Sequence, residues 1–137
     1  MLARVQSAAV LGIDAFTVAI EVDNTGGQQN NTRIVGLPDA AVKESEDRVK
    51  SAIRNSGFRF PRGYNIINLA PAGMRKEGSA LDLPIALGLL AATCQIDGKG
   101  FLDYAFVGEL ALDGSLRRVA GALAMAINAR NQGLRGI

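Results

Sequence analysis

The first third of the chain alternates between apolar and polar positions with a period of two. The alternation is clearest from Phe16 to Asp23, and it predicts a β-strand with one dry face. Strands are also predicted at Arg4–Leu11 and at Thr32–Gly36. The run Thr25–Asn31 consists mainly of Gly, Gln and Asn, which predicts a mobile hairpin loop between the second and third strands.

The apolar spacing then changes to that of a helix. Between positions 42 and 53, apolar residues recur at helical intervals and charged residues occupy the other side. Asp39 is placed to cap the N-terminus of this helix, which is predicted to run to Asn55. The strand Tyr64–Leu69 follows, so this part of the chain is predicted to form a β-α-β unit.

The most apolar part of the chain is Leu83–Gln95. A helix that is apolar on every side belongs in the centre of a domain, so this segment is predicted to be the buried helix. Leu87 is then a core residue, Cys94 a buried small hydrophobe, and Asp82 the N-cap. The uninterrupted apolar run ends at Cys94 after 12 residues, whereas a membrane span needs roughly 20.

The last third predicts a hairpin and one more helix. Tyr104–Leu112 has the composition of a strand, and the Asp-Gly pair at 113–114 predicts a two-residue turn. The return strand is predicted at Ser115–Arg118. A third helix is predicted at Gly121–Asn131, with Leu123, Ala126 and Ile127 on one side, and residues 134–137 have the pattern of another strand's first residues.

Composition excludes several classes of function. The chain has no His and one Cys, which removes His-dependent triads, the usual zinc sites and an intramolecular disulfide. The N-terminus has no signal-peptide pattern, so a reduced, cytoplasmic setting and no membrane partner are predicted. Gly98-Lys99-Gly100 lacks the other residues of a phosphate-binding loop, so this chain is not predicted to bind or hydrolyse nucleotides by itself.

Four motifs stand out, in a fixed order. They are RVQSA at 4–8, IVGLPDAAV at 34–42, NLAPA at 68–72, and RKEG at 75–78 followed by DLPIAL at 82–87. Together they resemble the N-terminal domain of the magnesium-chelatase-like AAA+ proteins of the YifB/ComM family. The resemblance covers nearly the whole chain.

This resemblance implies a fold and a place within a larger AAA+ protein. The fold is α/β, a two-layer α+β domain of the ribosomal protein S5 domain 2 type that is also found in Lon protease. Its β-β-β-α-β-α core agrees with the order predicted above, with an extra hairpin and helix. Residues 1–137 are then one non-catalytic, Lon-like domain. ATP, Mg²⁺ and assembly into a hexameric ring belong to an AAA+ module C-terminal to it, and no cofactor is expected in this chain.

The resemblance to Lon also raises the question of peptidase activity. Lon uses a serine nucleophile and a lysine general base. The matching positions here are Ala80 and Leu123, which supply neither a nucleophilic oxygen nor a proton acceptor. The alternative, Ser79 with Lys76 as a displaced dyad, is one residue out of register, so we expect a Lon-type scaffold without the dyad.

Two functions remain open for such a domain. In the ComM branch, the resemblance implies a DNA helicase for branch migration in natural transformation, so the domain is expected to contact single-stranded or branched DNA. The other possibility is a protein-interaction or regulatory module of a chelatase-type ATPase unrelated to DNA. Its partners are then its own AAA+ module and neighbouring subunits of the ring.

The distribution of charge supports an anionic partner. Eight basic and three acidic residues lie between Lys43 and Lys76, although such a run is also typical of a solvated helix face. The aromatic residues Phe58, Phe60 and Tyr64 interleave with arginines, as in single-strand binders, or they pack in the core. The loop Ala72–Ser79 is expected to be exposed and mobile. The candidate DNA or partner contacts are Arg54, Arg59, Arg62, Arg75, Lys76 and Glu77.

Overall fold

Six strands and four helices make up the protein, and the computed structural model describes all residues from 1 to 137. The strands are β1 (Leu2–Leu11), β2 (Asp14–Asn24), β3 (Asn31–Val35), β4 (Tyr64–Ala70), β5 (Glu109–Leu110) and β6 (Leu116–Arg117). The helices are α1 (Ala40–Lys43), α2 (Ser45–Asn55), α3 (Asp82–Ala92) and α4 (Ala122–Asn131). The predicted α/β class is confirmed. None of the four helices has the length and apolar content that a membrane crossing requires.

The main sheet has the strand order β1-β2-β4-β3. β2 is antiparallel to both β1 and β4, whereas β3 and β4 are parallel. The prediction that Thr25–Asn31 is a hairpin loop is therefore wrong, because β4 lies between β2 and β3. β4 buries Ile67 and Leu69, which suits an inner strand, and β3 is shorter, which suits an edge.

The core lies between the sheet and α3. α3 buries nine of its eleven residues, which confirms that it is the central helix. It approaches β1 and β2 closely at Gly88, where a Cβ atom would lie 2.6 Å from Cγ2 of Val22. Leu87 is only half-buried, so the prediction that it is a core residue is wrong, and Leu89 occupies that place with 1% exposure.

The end of α3 differs from the prediction. The helix ends at Ala92 rather than at Gln95, and Cys94 is exposed, with a φ of 56° in the left-handed region. The Gln95 amide donates to the Leu90 carbonyl across this residue (2.9 Å), as in a helix that closes on a left-handed residue. The prediction that Cys94 is buried is therefore wrong, since periodicity does not show where a helix stops.

The first helical region is divided into α1 and α2. Asp39 caps α1 as predicted, its Oδ1 accepting from the Val42 amide (2.8 Å). The single helix predicted to run to Asn55 is interrupted at Glu44, whose carbonyl accepts from the Asp47 amide in a tightened turn.

Asp82 has a role that its position before an apolar run did not reveal. It is the first residue of α3 rather than the N-cap, and it is fully buried. Its carboxylate accepts from Arg48 Nε (2.7 Å) and Nη2 (3.0 Å), from the Ser45 hydroxyl, and from the Leu110 amide (3.1 Å). This pairing raises the pKa of the Arg48 guanidinium, mainly through the hydrogen bond to Asp82. One carboxylate therefore joins α2, α3 and β5.

The predicted strand Tyr104–Leu112 is reduced to β5. The Gly108 amide donates to the Ala80 carbonyl (2.8 Å), and the Gly108 carbonyl accepts from the Leu83 amide (3.0 Å). The Phe106 amide donates to the Gln6 carbonyl of β1 (2.9 Å), so the backbone of this segment bonds first to β1 and then to the beginning of α3, and only its end forms a strand. The hairpin itself is confirmed, since β5 pairs with β6.

The turn of this hairpin has three residues, 112–114, rather than the predicted two. The Ala111 amide donates to the Ser115 carbonyl (2.9 Å), and Gly114 has a φ of 90°. This is the common type I turn followed by a left-handed glycine.

α4 packs on the opposite face of the β1–β2 hairpin from α3. Asn128 Nδ2 donates to Thr17 Oγ1 (3.0 Å), and Thr17 points away from the core face because strand side chains alternate. Met125 and Ala129 are buried, whereas Leu123 and Ile127 are exposed. The predicted apolar side of this helix thus faces solvent. Of the strand predicted to begin at 134–137, only a bridge between Tyr104 and Gly136 is present.

Candidate functional site

Lys76 is fully buried, contrary to the expectation that it is exposed for DNA contact. Its Nζ donates to the Gly36 carbonyl (2.8 Å) and to the Pro71 carbonyl. Burial lowers the pKa of the Lys76 amino group by desolvation. The ammonium is accommodated because two motifs, one 40 residues away and one five residues away, supply backbone oxygens for it. Lys76 therefore links two motifs through hydrogen bonds, and its amino group is not a surface contact for DNA.

The same lysine anchors its loop through the backbone. The Lys76 amide donates to the Leu37 carbonyl (3.1 Å), and the Lys76 carbonyl accepts from the Asp39 amide (3.0 Å). The Gly78 amide donates to Asp39 Oδ2 (3.2 Å). The second half of the loop predicted to be mobile is thus bonded along the turn that precedes α1.

The other two charges of this loop neutralise each other. Arg75 and Glu77 are exposed, and Arg75 Nε lies 3.6 Å from Glu77 Oε1. Such a surface pair contributes little to stability. It makes Arg75 a weaker candidate for an anion contact, because a carboxylate already faces its guanidinium group.

Arg54, Arg59 and Arg62 are exposed as predicted, and none of them takes part in an ion pair. Arg59 and Arg62 line a groove of about 280 Å³, which we call the basic groove. No acidic residue lines it. Its six lining residues are Arg59, Phe60, Pro61, Arg62, Thr93 and Gln95.

Three side-chain amides hold the backbone of the basic groove. Gln95 accepts from the Arg59 amide (2.9 Å) and donates to the Arg59 carbonyl (2.7 Å). Asn65 Nδ2 donates to the Pro61 carbonyl (3.2 Å), and Asn24 Nδ2 donates to the Arg62 carbonyl (2.9 Å). The segment is therefore fixed while its two arginine side chains remain free.

Phe60 and Phe58, which were predicted either to contact a nucleic-acid strand or to pack in the core, lie in different grooves. Phe60 lines the basic groove, is half-buried, and also packs against the core. Lys50 Nζ lies 5.8 Å from the centroid of its ring, within the range of a cation–π contact. Phe58 instead lines a separate, mostly apolar groove beside α3. The sequence pattern does not single out Lys50, because a lysine on a helix is ordinarily solvated.

A larger cleft of about 750 Å³ lies at one of the two positions that the Lon register gives to the dyad. Ala80 lines this cleft, but Leu123 is 76% exposed on α4 and does not line it. The Ser79 hydroxyl donates to the Glu109 carboxylate, and the Lys76 amino group is engaged by backbone carbonyls. The displaced dyad of Ser79 and Lys76 is therefore not assembled.

Comparison with known proteins now gives the family. The profile described as subunit ChlI of Mg-chelatase matches residues 20–137. The chain belongs to this ChlI family.

Individual ChlI-family relatives are longer proteins. The uncharacterized protein YifB of Salmonella typhimurium is 49% identical over 132 residues, which are 96% of this chain and 26% of that protein. Competence protein ComM of Haemophilus influenzae is 48% identical over 122 residues, or 89% of this chain and 24% of that protein. An uncharacterized Mycobacterium tuberculosis protein is 39% identical over 132 residues, or 96% and 26%. The chain thus spans about a quarter of the length of these relatives.

The ChlI family implies Mg²⁺ and ATP, and the cleft does not fit them. Asp39, Glu77 and Glu109 line it against the single cation Arg118, so it would repel a triphosphate. Asp39 is occupied by two backbone amides and Glu109 by Ser79. No group of three or more His, Cys, Asp or Glu residues is arranged to hold a metal ion.

Proposed function

We propose that this chain is a non-catalytic, Lon-like N-terminal domain of a larger ChlI-family AAA+ ATPase, and that it binds single-stranded nucleic acid in the basic groove. ATP, Mg²⁺ and a hexameric ring belong to the remainder of that protein. The length of the relatives supports the existence of a remainder, since this chain accounts for about a quarter of each.

Two exposed arginines on a fixed backbone segment are the main support for nucleic-acid binding. Arg59 and Arg62 are unpaired cations on a backbone segment that Gln95, Asn65 and Asn24 hold in place. A fixed segment loses little conformational entropy when it binds. Free guanidinium groups bind phosphates and release counterions.

The neighbouring aromatic residue fits the same ligand. Phe60 lines the groove, so a base bound there can contact the exposed part of its ring, and Lys50, which lies over that ring, adds a third cation. The Haemophilus relative is named a competence protein, which supports DNA as this ligand. We propose that the whole protein is a DNA motor such as a branch-migration helicase.

The large cleft favours the second candidate, a protein-interaction module. Its acidic lining would select a basic segment of a partner rather than nucleic acid. The two candidates use different surfaces, so variants can separate them.

The test is a fluorescence anisotropy titration of the chain with a labelled single-stranded oligonucleotide at several salt concentrations. The double variant Arg59→Ala, Arg62→Ala should bind at least about tenfold more weakly. Its slope of log K against log salt should fall in magnitude by about 1.4, because each lost phosphate contact removes about 0.7 on single strands.

The matched control is the double variant Arg117→Ala, Arg130→Ala. These arginines are also exposed and outside any ion pair, so the control removes the same charge elsewhere. It should keep nearly the wild-type affinity and slope. Equal losses in both double variants would mean that general charge, and not the basic groove, attracts the strand.

A further inference from the structure

A groove of about 120 Å³ runs along the outer side of α3, and we call it the apolar groove. No charged residue lines it, and Ser56 is its only lining residue with a polar side chain. α2, α3, Phe58 and the β5–β6 hairpin form its walls. The lining residues are Ala52, Ile53, Ser56, Phe58, Leu83, Ala86, Leu87, Leu90, Leu110 and Gly114.

The apolar groove and the basic groove lie end to end. On one wall, Phe58 lines the apolar groove and the next residue, Arg59, lines the basic groove. On the other wall, Leu90 lines the apolar groove, and Thr93, whose hydroxyl donates to the Leu90 carbonyl (3.3 Å), lines the basic groove. At the junction, Gln95 joins the two walls through its two hydrogen bonds to the Arg59 backbone. A single extended ligand can therefore contact both grooves.

The apolar groove has room for one bulky apolar side chain. Phe58 is 38% exposed and Leu87 is half-buried, so a ligand can cover both. An apolar cavity of roughly 150 Å³ binds benzene, which is comparable to a leucine or phenylalanine side chain. A nucleobase fits this lining poorly, because its polar edge would lose water and gain at most the Ser56 hydroxyl.

The charges around the two grooves favour an acidic ligand. Arg59 and Arg62 are the charged residues of the basic groove, and no acidic residue lines either groove. The carboxylates next in sequence to the apolar lining are engaged elsewhere. Asp82 is fully buried, Glu109 accepts from a serine in the large cleft, and Asp113 accepts within its own turn. Ligand carboxylates can thus pair with both guanidinium groups without like-charge repulsion.

We propose that the two grooves together bind an acidic peptide segment of a partner protein. One bulky apolar side chain of this segment enters the apolar groove, and the neighbouring carboxylates pair with Arg59 and Arg62. The inference goes beyond nucleic-acid binding, in which the apolar groove has no part. Because both ligands use the same two arginines, the peptide and a nucleic-acid strand exclude each other.

Selection from a random-peptide phage library on the immobilised 137-residue chain tests this inference without a known partner. We expect the enriched peptides to carry acidic residues next to a leucine, isoleucine or phenylalanine. Enrichment of basic peptides would contradict the inference, since those peptides fit the acidic lining of the large cleft. The absence of any enriched peptide would also contradict it.

Titration of variants with the most enriched peptide, synthesised with a fluorescent label, then locates the site. Leu87→Gln places a polar group in the apolar groove and should weaken peptide binding at least about tenfold. Phe58→Ala removes the other exposed wall and should act in the same direction. The matched control is Leu102→Gln, because Leu102 is 53% exposed and lines neither groove. Thermal melts followed by circular dichroism show whether each variant is folded.

The outcomes distinguish this inference from the proposed function. Leu87→Gln should leave oligonucleotide binding unchanged, whereas the double variant Arg59→Ala, Arg62→Ala should weaken both ligands. Equal peptide affinity in Leu87→Gln and Leu102→Gln would overturn the inference, because the apolar groove would then take no part in binding. Peptide binding with the expected dependence on Leu87, but no oligonucleotide binding, would support the inference and overturn the proposed function. The reverse pattern would do the opposite.

Discussion

Asp82→Ala is expected to lower the free energy of unfolding by about 3–5 kcal/mol, the usual cost of removing one partner from a buried ion pair. The carboxylate is fully buried and accepts from Arg48, Ser45 and the Leu110 amide. Its loss removes the acceptor of the Ser45 hydroxyl and of the Leu110 amide, leaves Arg48 with the Ala41 carbonyl and Glu44, and removes the hydrogen bonds that join α2, α3 and β5. Urea unfolding followed by circular dichroism measures the change.

The matched control for this prediction is Asp47→Ala. Asp47 is an exposed carboxylate in the first turn of α2, where its interaction with the helix dipole contributes about 0.3–1 kcal/mol. A loss at Asp82 no larger than the loss at Asp47 would show that the buried network does not hold the three elements together.

Leu89→Ala is expected to cost about 2–5 kcal/mol, the range for a leucine truncated in a packed core. Leu89 is 1% exposed on α3 and belongs to the cluster formed with the sheet. The removed methyl groups leave a cavity, because α3 is enclosed on most sides and cannot shift to fill it. The same urea experiment measures this change.

Leu112→Ala makes the same chemical change at an exposed position. Leu112 lies in the β5–β6 turn and is 58% exposed, so its truncation should cost less than about 0.5 kcal/mol. Similar costs at Leu89 and Leu112 would mean that α3 is not the central helix.

Local patterns were enough to predict most of the elements. The period-two alternation located β1 and β2, and the apolar run located α3, because both patterns report burial directly. The order of strands in the sheet was missed, since nothing in Thr25–Asn31 states that β4 will pair with β2. Strand order depends on which strands pair along both edges, and this is a property of the assembled sheet.

The roles of the motif residues could not be predicted for a related reason. Lys76 looked exposed because its two partners, the carbonyls of Gly36 and Pro71, are brought to it by the fold. Asp82 looked like a cap because Arg48 lies 34 residues away in sequence. The sequence shows that burying these charged side chains costs free energy. It does not show which groups the fold brings to them to compensate for that cost.

The candidate site was predictable in part. Arg59 and Arg62 were identified from charge alone, because unpaired arginines in a short loop stay exposed. Gln95 was not identified, since its two hydrogen bonds to Arg59 require the end of α3 to meet that loop. The scaffold that makes the basic groove rigid is thus a product of tertiary structure.

Photocrosslinking can show whether nucleic acid binds in the basic groove. The chain would be irradiated with a single-stranded oligonucleotide carrying 5-iodouracil, which forms adducts with aromatic rings on which it stacks, and the crosslinked peptide would be mapped by mass spectrometry. We expect an adduct at Phe60 that is lost in the double variant Arg59→Ala, Arg62→Ala and retained in the double variant Arg117→Ala, Arg130→Ala. Adducts confined to other aromatic residues, with none at Phe60, would contradict it.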